Sequence, residues 1–471
     1  MIMKMGFWLV IVFIGLMCGL PVGAQTTWYV ATNGSDSAHT GTNSWTNAFQ
    51  TISNAVAMAG AGDEMLVSNG VYELTAEISV TKAVTIRSWN NGVIDRTNTV
   101  IKGNGIDFRC VFWNQVSATL EGFTITNGIE SVGGGVYLVH GTVRNCIITG
   151  NTSGGDGGGV YLRPDAYLLD SLICYNNATD YGGGVMLYAD GIVSNCVIIS
   201  NSAAAGGGVM LNFYGGTTGT VVGCEIRDNL AVSGGGVWNN NIGYIRNCII
   251  TGNSATNGGD GGGLRFDSSG TIENCVISNN YADDDGGGVS LGKVGGSALM
   301  RNCLITHNQA TNSDNGGRGG GVSTVINTSS VRLENCTICY NQSDGTGGGV
   351  VIWNPTGDVI NVKNCIVYYN TSTGSTSSNV YRGNVQYSCA GPDSTFTSGF
   401  CNTTNPPLFI STNANNYRLQ DSSPCINTGT NEDWMAGAVD FDGHRRIDYF
   451  IRRVDMGAYE YLPSGTMIKV H

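Results

Sequence analysis

Proline, charge and long apolar runs are all scarce in this chain of 471 residues, which has 8 Pro, 5 His and only 12% charged residues. Its 23 Lys+Arg stand against 35 Asp+Glu, a formal net charge of −12. That balance leaves no basic footprint for nucleic acid or an anionic membrane surface, and a neutral or cationic partner fits it better. Chelating cysteine pairs are missing too. The single C-x-x-C, Cys336 to Cys339, has no His beside it, which excludes an ordinary zinc site. Glycine is abundant by contrast. The 71 Gly are about twice the usual share of roughly 7%, yet 41% of residues are hydrophobic. Such a chain is no disordered polymer and can build a large core.

The first residues read MIMKMGFWLVIVFIGLMCGLPVGA. Lys4 forms a short basic start, residues 7–20 an apolar centre, and Gly23 and Ala24 a small-residue cleavage site. Residues 1–24 are therefore expected to be a secretory signal. Met17 stands where a lipoprotein needs a small residue before Cys18. Nothing later is long and apolar enough to span a membrane. Cleavage leaves 22 − 35 = −13 charges and 15 − 1 = 14 Cys. The expected location is extracellular or on the outer cell surface.

Self-similarity dominates the middle of the chain. One block is GGG followed by apolar residues at period two, as in GGGVYL at 133 and 157, GGGVML at 182 and 206, GGGVWN at 234 and GGGLRF at 261. It continues as GGGVSL at 286, GGGVST at 319 and GGGVVI at 347. The other block reads apolar-x-N-C-x-I-x-x-N. Its Cys slot holds Cys146, Cys196, Cys224, Cys248, Cys275, Cys303, Cys336 and Cys365, with Ser171 in the second copy. The slot three before it is aliphatic or Met, and the slot two after it is Ile or Val, so these three must face inward. Five after it stands Asn in every copy, from Asn151 to Asn370, and seven after it a small residue sits at a tight corner.

The slot directly before the Cys accepts only Asn, Asp170 or Gly223. These are the residues that best tolerate positive φ, so the slot is a one-residue bend between two short strands. Each repeat then holds at least three strands and no helix, since each Gly costs a helix about 1 kcal/mol relative to Ala. Strands that find no partner within their own repeat must pair with their counterparts in the next one, in parallel. The expected fold is all-β: a right-handed parallel β-helix solenoid of about ten or more turns. An earlier half-copy at 120 places Gly122 in the bend slot and Phe123 in the Cys slot. The rival, a leucine-rich repeat, has similar spacing but closes each repeat with a helix or non-sheet segment, whereas here a glycine-led strand follows.

The GGG(V)-x-L and I-x-x-N alternation resembles the β-helix of pectin lyase-like proteins and the repeats of polymorphic outer-membrane proteins. Residues 28–74 resemble the N-terminal cap of secreted β-helix proteins, with a short amphipathic helix at 48–59 carrying Phe49, Ile52, Val56 and Ala59 on one face. NPPLF at 405, NNYRLQDSSPCINTG at 415 and VDFDGHRRID with VDMGAYEY (439–461) resemble the C-terminal β-helix module called choice-of-anchor Q. The expected organisation is a signal at 1–24, cap and first turns at 25–115, repeats at 116–370, and the β-helix end and cap at 371–471. Cysteines of the repeat are expected to stack as buried free thiols. Among Cys389, Cys401 and Cys425, outside the ladder, Cys389 with Cys425 is the expected bridge.

After each GGG the residue between two inward ones faces out. This gives an expected exposed stripe of Tyr137, Tyr161, Met186, Met210 and Trp238, continued by Arg265, Ser290, Ser323 and Val351. The next outward column adds Arg163, Tyr188, Asn212, Asn240, Asp267 and Trp353. Aromatic faces beside Arg, Asn and Asp suit sugar rings, although aromatics also favour strands for their own sake. Asp156, Asp180, Asp260 and Asp285, with Asp283, Asp284, Asp314 and Asp344, precede the glycines and offer oxygen ligands for Ca2+. Asp is equally an ordinary turn residue. Asp440 and Asp442 are ambiguous in the same way. Arg144, Arg246, Arg301, Arg332 and Lys363, interrupted by Glu273, form an expected solvated charge column.

The resulting expectation is a monomeric, non-catalytic β-helix, with Ca2+ optional, that binds a polysaccharide or cell-surface component as an adhesin or matrix protein. The alternative is a polysaccharide lyase or glycoside hydrolase, which the resemblance also implies. No NTD or GHG signature of the polygalacturonase type is present. A cleft with paired carboxylates, or with Asp and Arg within about 5 Å, favours the enzyme, and a flat aromatic face favours binding.

Overall fold

A computed structural model describes residues 25–463 except 43, 212–217, 292–296, 313–315, 325–329, 353–359, 375–376, 396–397 and 448–451. The signal at 1–24 and the candidates Asn212, Asp314 and Trp353 lie outside the described residues. The chain coils into a parallel β-solenoid. Its strands form a 25-stranded sheet, a 13-stranded sheet and a ribbon of very short strands. One coil shows the path. Val160–Leu162 and Ala166–Leu169 lie in the first sheet, Leu172–Cys174 in the second and Asn177–Ala178 in the third, before the corner returns at Gly182.

Like pairs with like along the axis. Val136 pairs with Val160, Val160 with Val185, and Val185 with Val209; in the second sheet Ile148, Ile173, Ile198 and Ile226 stand in one register. The expected bend holds: Asn145, Asp170, Asn195, Asn247, Asn274, Asn302, Asn335 and Asn364 have φ between 50° and 54°, and Gly122 and Gly223 are positive as well. A second left-handed slot follows each second-sheet strand. Tyr175, Ser200, Asp228, Asn279, His307, Tyr340 and Tyr369 occupy it at 55–59°.

Inside, the thiols of Cys196, Cys224, Cys248, Cys275, Cys303, Cys336 and Cys365 form one buried column. Each packs against the carbonyl two residues earlier, as Cys248 Sγ does on Arg246 O at 3.2 Å. Ser171 keeps the column polar where Cys is missing, accepting from Cys146 N at 3.1 Å. Beside it runs an asparagine ladder. Asn229 donates both its backbone N–H and its side-chain amide to Asn253 Oδ1 at 3.0 Å, and its amide also to Ile198 O at 2.9 Å. The pattern repeats from Asn151 to Asn370 and ends on Asn379. Each amide of the ladder thus finds partners, which the interior demands.

The three glycines have separate reasons. Gly234 has φ 62°. A Cβ on Gly235 would come within 2.4 Å of Ser254 O, and one on Gly236 within 2.6 Å of Gly263 O and 2.9 Å of Asn253 Nδ2. Only hydrogen fits.

The cap helix is shorter than expected, Ile52–Met58, opened by the Thr51 hydroxyl accepting from Asn54 N at 3.2 Å and burying Ile52, Ala55 and Val56. Coils continue beyond 370 to Ser398–Phe400. The chain then forms the hairpin of Phe409–Ser411 and Asn416–Leu419 and runs back over the outer face of the second sheet. There Asn302, Asn335 and Asn364 donate to Val439 O, Asp455 O and Thr430 O at 3.0, 3.1 and 2.8 Å. Leu304, Thr337 and Ile366 are buried beneath it.

The charge column is corrected in one position. Arg332 lies two residues outside it and Glu334 fills the slot, so Arg246, Glu273, Arg301, Glu334 and Lys363 alternate in sign across paired strands. Arg301 pairs with Glu334 at 2.9 Å and Arg144 with Glu121 at 2.8 Å. Glu334 and Glu121 are buried rather than solvated.

Candidate functional site

The strand after each GGG points its middle residue away from the core, and strand register places these residues in one line: Phe112, Tyr137, Tyr161, Met186, Met210, Trp238, Arg265, Ser290, Ser323, Val351. The expected column exists. The expected exposure does not: Tyr161 is 6% exposed, and Met186 and Met210 are 0% exposed. The corner explains part of this, because the chain doubles over the sheet at the first glycine. A Cβ on Gly234 would lie 2.7 Å from Trp238 Cβ, and one on Gly157 3.1 Å from Tyr161 Cα. Neighbouring rings do the rest. Tyr188 lies 5.7 Å from Tyr161, Tyr181 lies 6.1 Å from Trp238, and Val132, Tyr137, Tyr181, Tyr188 and Trp238 pack around Tyr161 and the two methionines.

The rings mostly face one another. Phe112 and Tyr137 stack at 5.6 Å, and Tyr137 and Tyr161 at 5.0 Å with planes 12° apart. Their faces are used up inside the column, so edges and phenol groups are what they present. Three guanidiniums complete this stretch: Arg109 over Tyr137, Arg163 over Tyr188 and Arg265 over Trp238, at 4.9, 5.1 and 5.2 Å from the ring centres. Arg163 also donates to Tyr137 Oη at 3.4 Å.

From Trp238 onward the column becomes polar. Trp238 Nε1 donates to Asp267 at 2.9 Å, and Arg265 reaches Asp267 at 3.0 Å, Asp260 at 3.2 Å and Ser233 Oγ at 3.1 Å. Asp267, expected on the exposed face, is buried by these two partners. Ser290 and Ser323 follow, each 1% exposed, and neither hydroxyl has a hydrogen-bond partner. Beside them Asp285 meets Arg318 at 3.6 Å. Burial, with the nearby Asp284 charge, pushes the Asp285 carboxyl up to about 7. Burial also raises Asp260, and burial with the Asp180 charge raises Asp156.

Among the described residues the corner aspartates do not gather around a shared cation position. Asp260 and Asp285 engage arginines instead. Among the described residues, one set of three groups brings ligand atoms within 4.8 Å of one another: Asp440, Asp442 and His444. Asp442 there already holds Arg418 in a two-pronged ion pair, and Asp440 accepts backbone N–H groups of Asp442, His444 and Glu460. The sequence reading saw the two aspartates and missed His444, whose closeness comes from the turn between them.

All 14 described cysteines are free, Cys389 and Cys425 included, so the expected bridge is not formed. Among the described residues no helix is long and apolar enough to cross a membrane.

A family of right-handed β-helix regions matches residues 207–390, and with the parallel strand register it makes this chain a right-handed parallel β-helix. No curated protein matches it. Similar solved structures include the pectate lyase Pel9A, at 16% identity over 92% of this chain and 96% of that one, with a TM-score of 0.41. XylC in complex with xylose is similar at 9% identity over 93% and 98%, with a TM-score of 0.44. The alginate lyase from Paenibacillus sp. str. FPU-7 is similar at 14% identity over 60% and 94%, with a TM-score of 0.30.

Proposed function

We propose that this is a secreted or cell-surface protein that binds carbohydrate, without turning it over, along the outer column running from Phe112 to Arg265. The observation that carries this reading is the linearity of the column. Its half-buried members Tyr137 and Trp238, with Arg163, Tyr188 and Arg265 beside them, offer ring edges, a phenol and guanidiniums on coils spaced by about 4.8 Å, over the buried Tyr161, Met186 and Met210. A linear polymer with repeating apolar edges and hydroxyl groups suits such a strip. The signal-like residues 1–24 and the likeness of the repeats and C-terminal module to surface proteins support the address. The net charge of −12 supports a partner other than nucleic acid, with Ca2+ an optional ligand and the protein acting as a monomer.

One observation favours a second reading, a polysaccharide lyase or glycoside hydrolase. Arg265 lies within 3.2 Å of two carboxylates, Asp260 and Asp267, and burial raises the pKa of Asp260 above the ordinary carboxylate value. The same contacts weigh against it, since a guanidinium clasped by two carboxylates is occupied. A polysaccharide array incubated with the full chain decides. Retention without new reducing or unsaturated ends, abolished by Trp238→Ala, is expected; cleavage with turnover overturns the binding reading, and so does the absence of any retention.

A further inference from the structure

The outer face of the second sheet is covered over only part of its length. Val276, Leu304, Thr337 and Ile366 stand in one register. The C-terminal run buries the last three, while Val276 stays half-exposed. Away from the run the same column continues through Ile249, Glu225, Val197, Leu172 and Ile147, and Ile249 is 46% exposed. Glu225 alone breaks its apolar character, and Arg227 pairs with it at 2.7 Å. Contiguous apolar rows on a surface mark an interaction site, and the covered coils show which kind of partner this one takes.

There the partner is polypeptide backbone. Asn364 holds the Thr430 residue with both ends of its amide, Nδ2 donating to Thr430 O and Oδ1 accepting from Thr430 N, each at 2.8 Å. Asn302 divides its two hydrogens between Asn274 Oδ1 at 3.1 Å and Val439 O at 3.0 Å. The run lies flat on the sheet, since a Cβ on Gly457 would come within 2.8 Å of Ile366 Cδ1 and of Thr337 Oγ1. On the bare coils the same bend asparagines have donors to spare. Asn274 gives one hydrogen to Asn247 Oδ1 at 3.2 Å and Asn195 gives one to Asp170 Oδ1 at 3.3 Å. The other hydrogen of each, and both of Asn247, have no acceptor among the described residues. No member of the bare column is aromatic, so a sugar has no ring to stack on, whereas a peptide finds the two features that already hold the run.

We propose that the uncovered outer face of the second sheet, from Ile147 to Val276, docks an extended, largely uncharged peptide segment of a partner protein. The apolar column takes its side chains and the bend asparagines take its carbonyls. Six coils at about 4.8 Å span about 24 Å, room for about seven extended residues. This face is separate from the outer column of the first sheet, and the proposal does not depend on the carbohydrate reading.

The test overlays the full chain on an array of peptides of about ten residues in which apolar residues alternate with Ser, Thr or Asn, beside sets with Lys or Glu at those polar positions. Binders are then titrated by fluorescence anisotropy. The uncharged set should be retained over both charged ones. Asn195→Gly/Asn247→Gly keeps the left-handed bend, as Gly223 does at φ 66°, and removes only exposed amides. It should weaken binding about tenfold, the worth of two neutral hydrogen bonds, with an unfolding midpoint close to the parent's. Ile249→Glu should abolish binding, and neither variant should change retention on polysaccharide. No retained peptide, preference for a charged set, or affinity unchanged in both variants overturns the proposal. So does peptide binding that appears only when residues 464–471 are removed, which assigns the face to the chain's own tail. Dimerisation abolished by Ile249→Glu assigns it to a second copy, and loss of polysaccharide retention in that variant assigns it to a sugar; either result overturns the proposal as well.

Discussion

Replacing Asn253 by Ala probes the physical core of the solenoid. Asn253 Oδ1 accepts from the N–H and the side-chain amide of Asn229, both at 3.0 Å. Its own amide donates to Ile226 O at 2.9 Å, Thr251 O at 3.3 Å and Asn280 Oδ1 at 3.0 Å. Alanine leaves the Asn229 N–H without its acceptor and Ile226 O short of a donor, in a column where Asn229 is 1% exposed. Two buried orphans at roughly 1–3 kcal/mol each give a loss of about 2–6 kcal/mol. Because solenoid coils open locally, the readout is amide exchange at Asn229 and along Glu225–Arg227, alongside guanidinium unfolding. Asn253→Asp keeps the acceptor oxygen but puts a second oxygen where the amide donated, so it should fare no better. A loss below about 1 kcal/mol, or an Asn229 amide as protected as before, would refute the view that the ladder ties coil to coil.

Other consequences are as concrete. Asn195→Ala, at φ 53°, should cost about 1 kcal/mol, whereas Asn195→Gly should stay within about 0.5 kcal/mol, measured by denaturant midpoint. Burial pushes Glu460 up to about 8 and Asp455 up to about 6. The folded state therefore holds more protons than the unfolded one between the ordinary carboxylate range and those values, so stability should fall from about pH 5 to pH 8. Glu460→Gln should flatten that slope in a pH series of thermal midpoints, and a slope unchanged by the variant counts against the assignment. Thiol titration of the native protein should find Cys401 promptly, as it is the one exposed cysteine among the 14 described. The other 13 should react only on unfolding, and ten or more oxidised cysteines in the denatured, unreduced chain would contradict the free ladder.

Much of the fold was legible because the repeat writes each structural demand in a restricted alphabet. Only Asn, Asp and Gly stand before the Cys slot, and every one of these positions is left-handed. The second left-handed slot escaped notice for the opposite reason: Tyr, His, Ser and Asp occupy it freely, since the closed coil on either side fixes the backbone and side-chain preference is overridden. Direction along the outer column was equally readable from period two. Exposure was not. Whether Met186 is wet depends on where Tyr181 and Trp238 swing, and on a corner that folds back over the strand, neither of which is encoded in alternation. The same holds for Asp267, whose burial follows from a partner one coil away.

The C-terminal run that grips Asn302, Asn335 and Asn364 has a mechanical corollary. Most described coils are held chiefly by the strand pairing to their two neighbours, whereas these three are also lashed together from the side. A pull along the rod should therefore open it toward residue 25 first, with the lashed coils yielding last, so that the molecule resists traction unevenly from one end to the other.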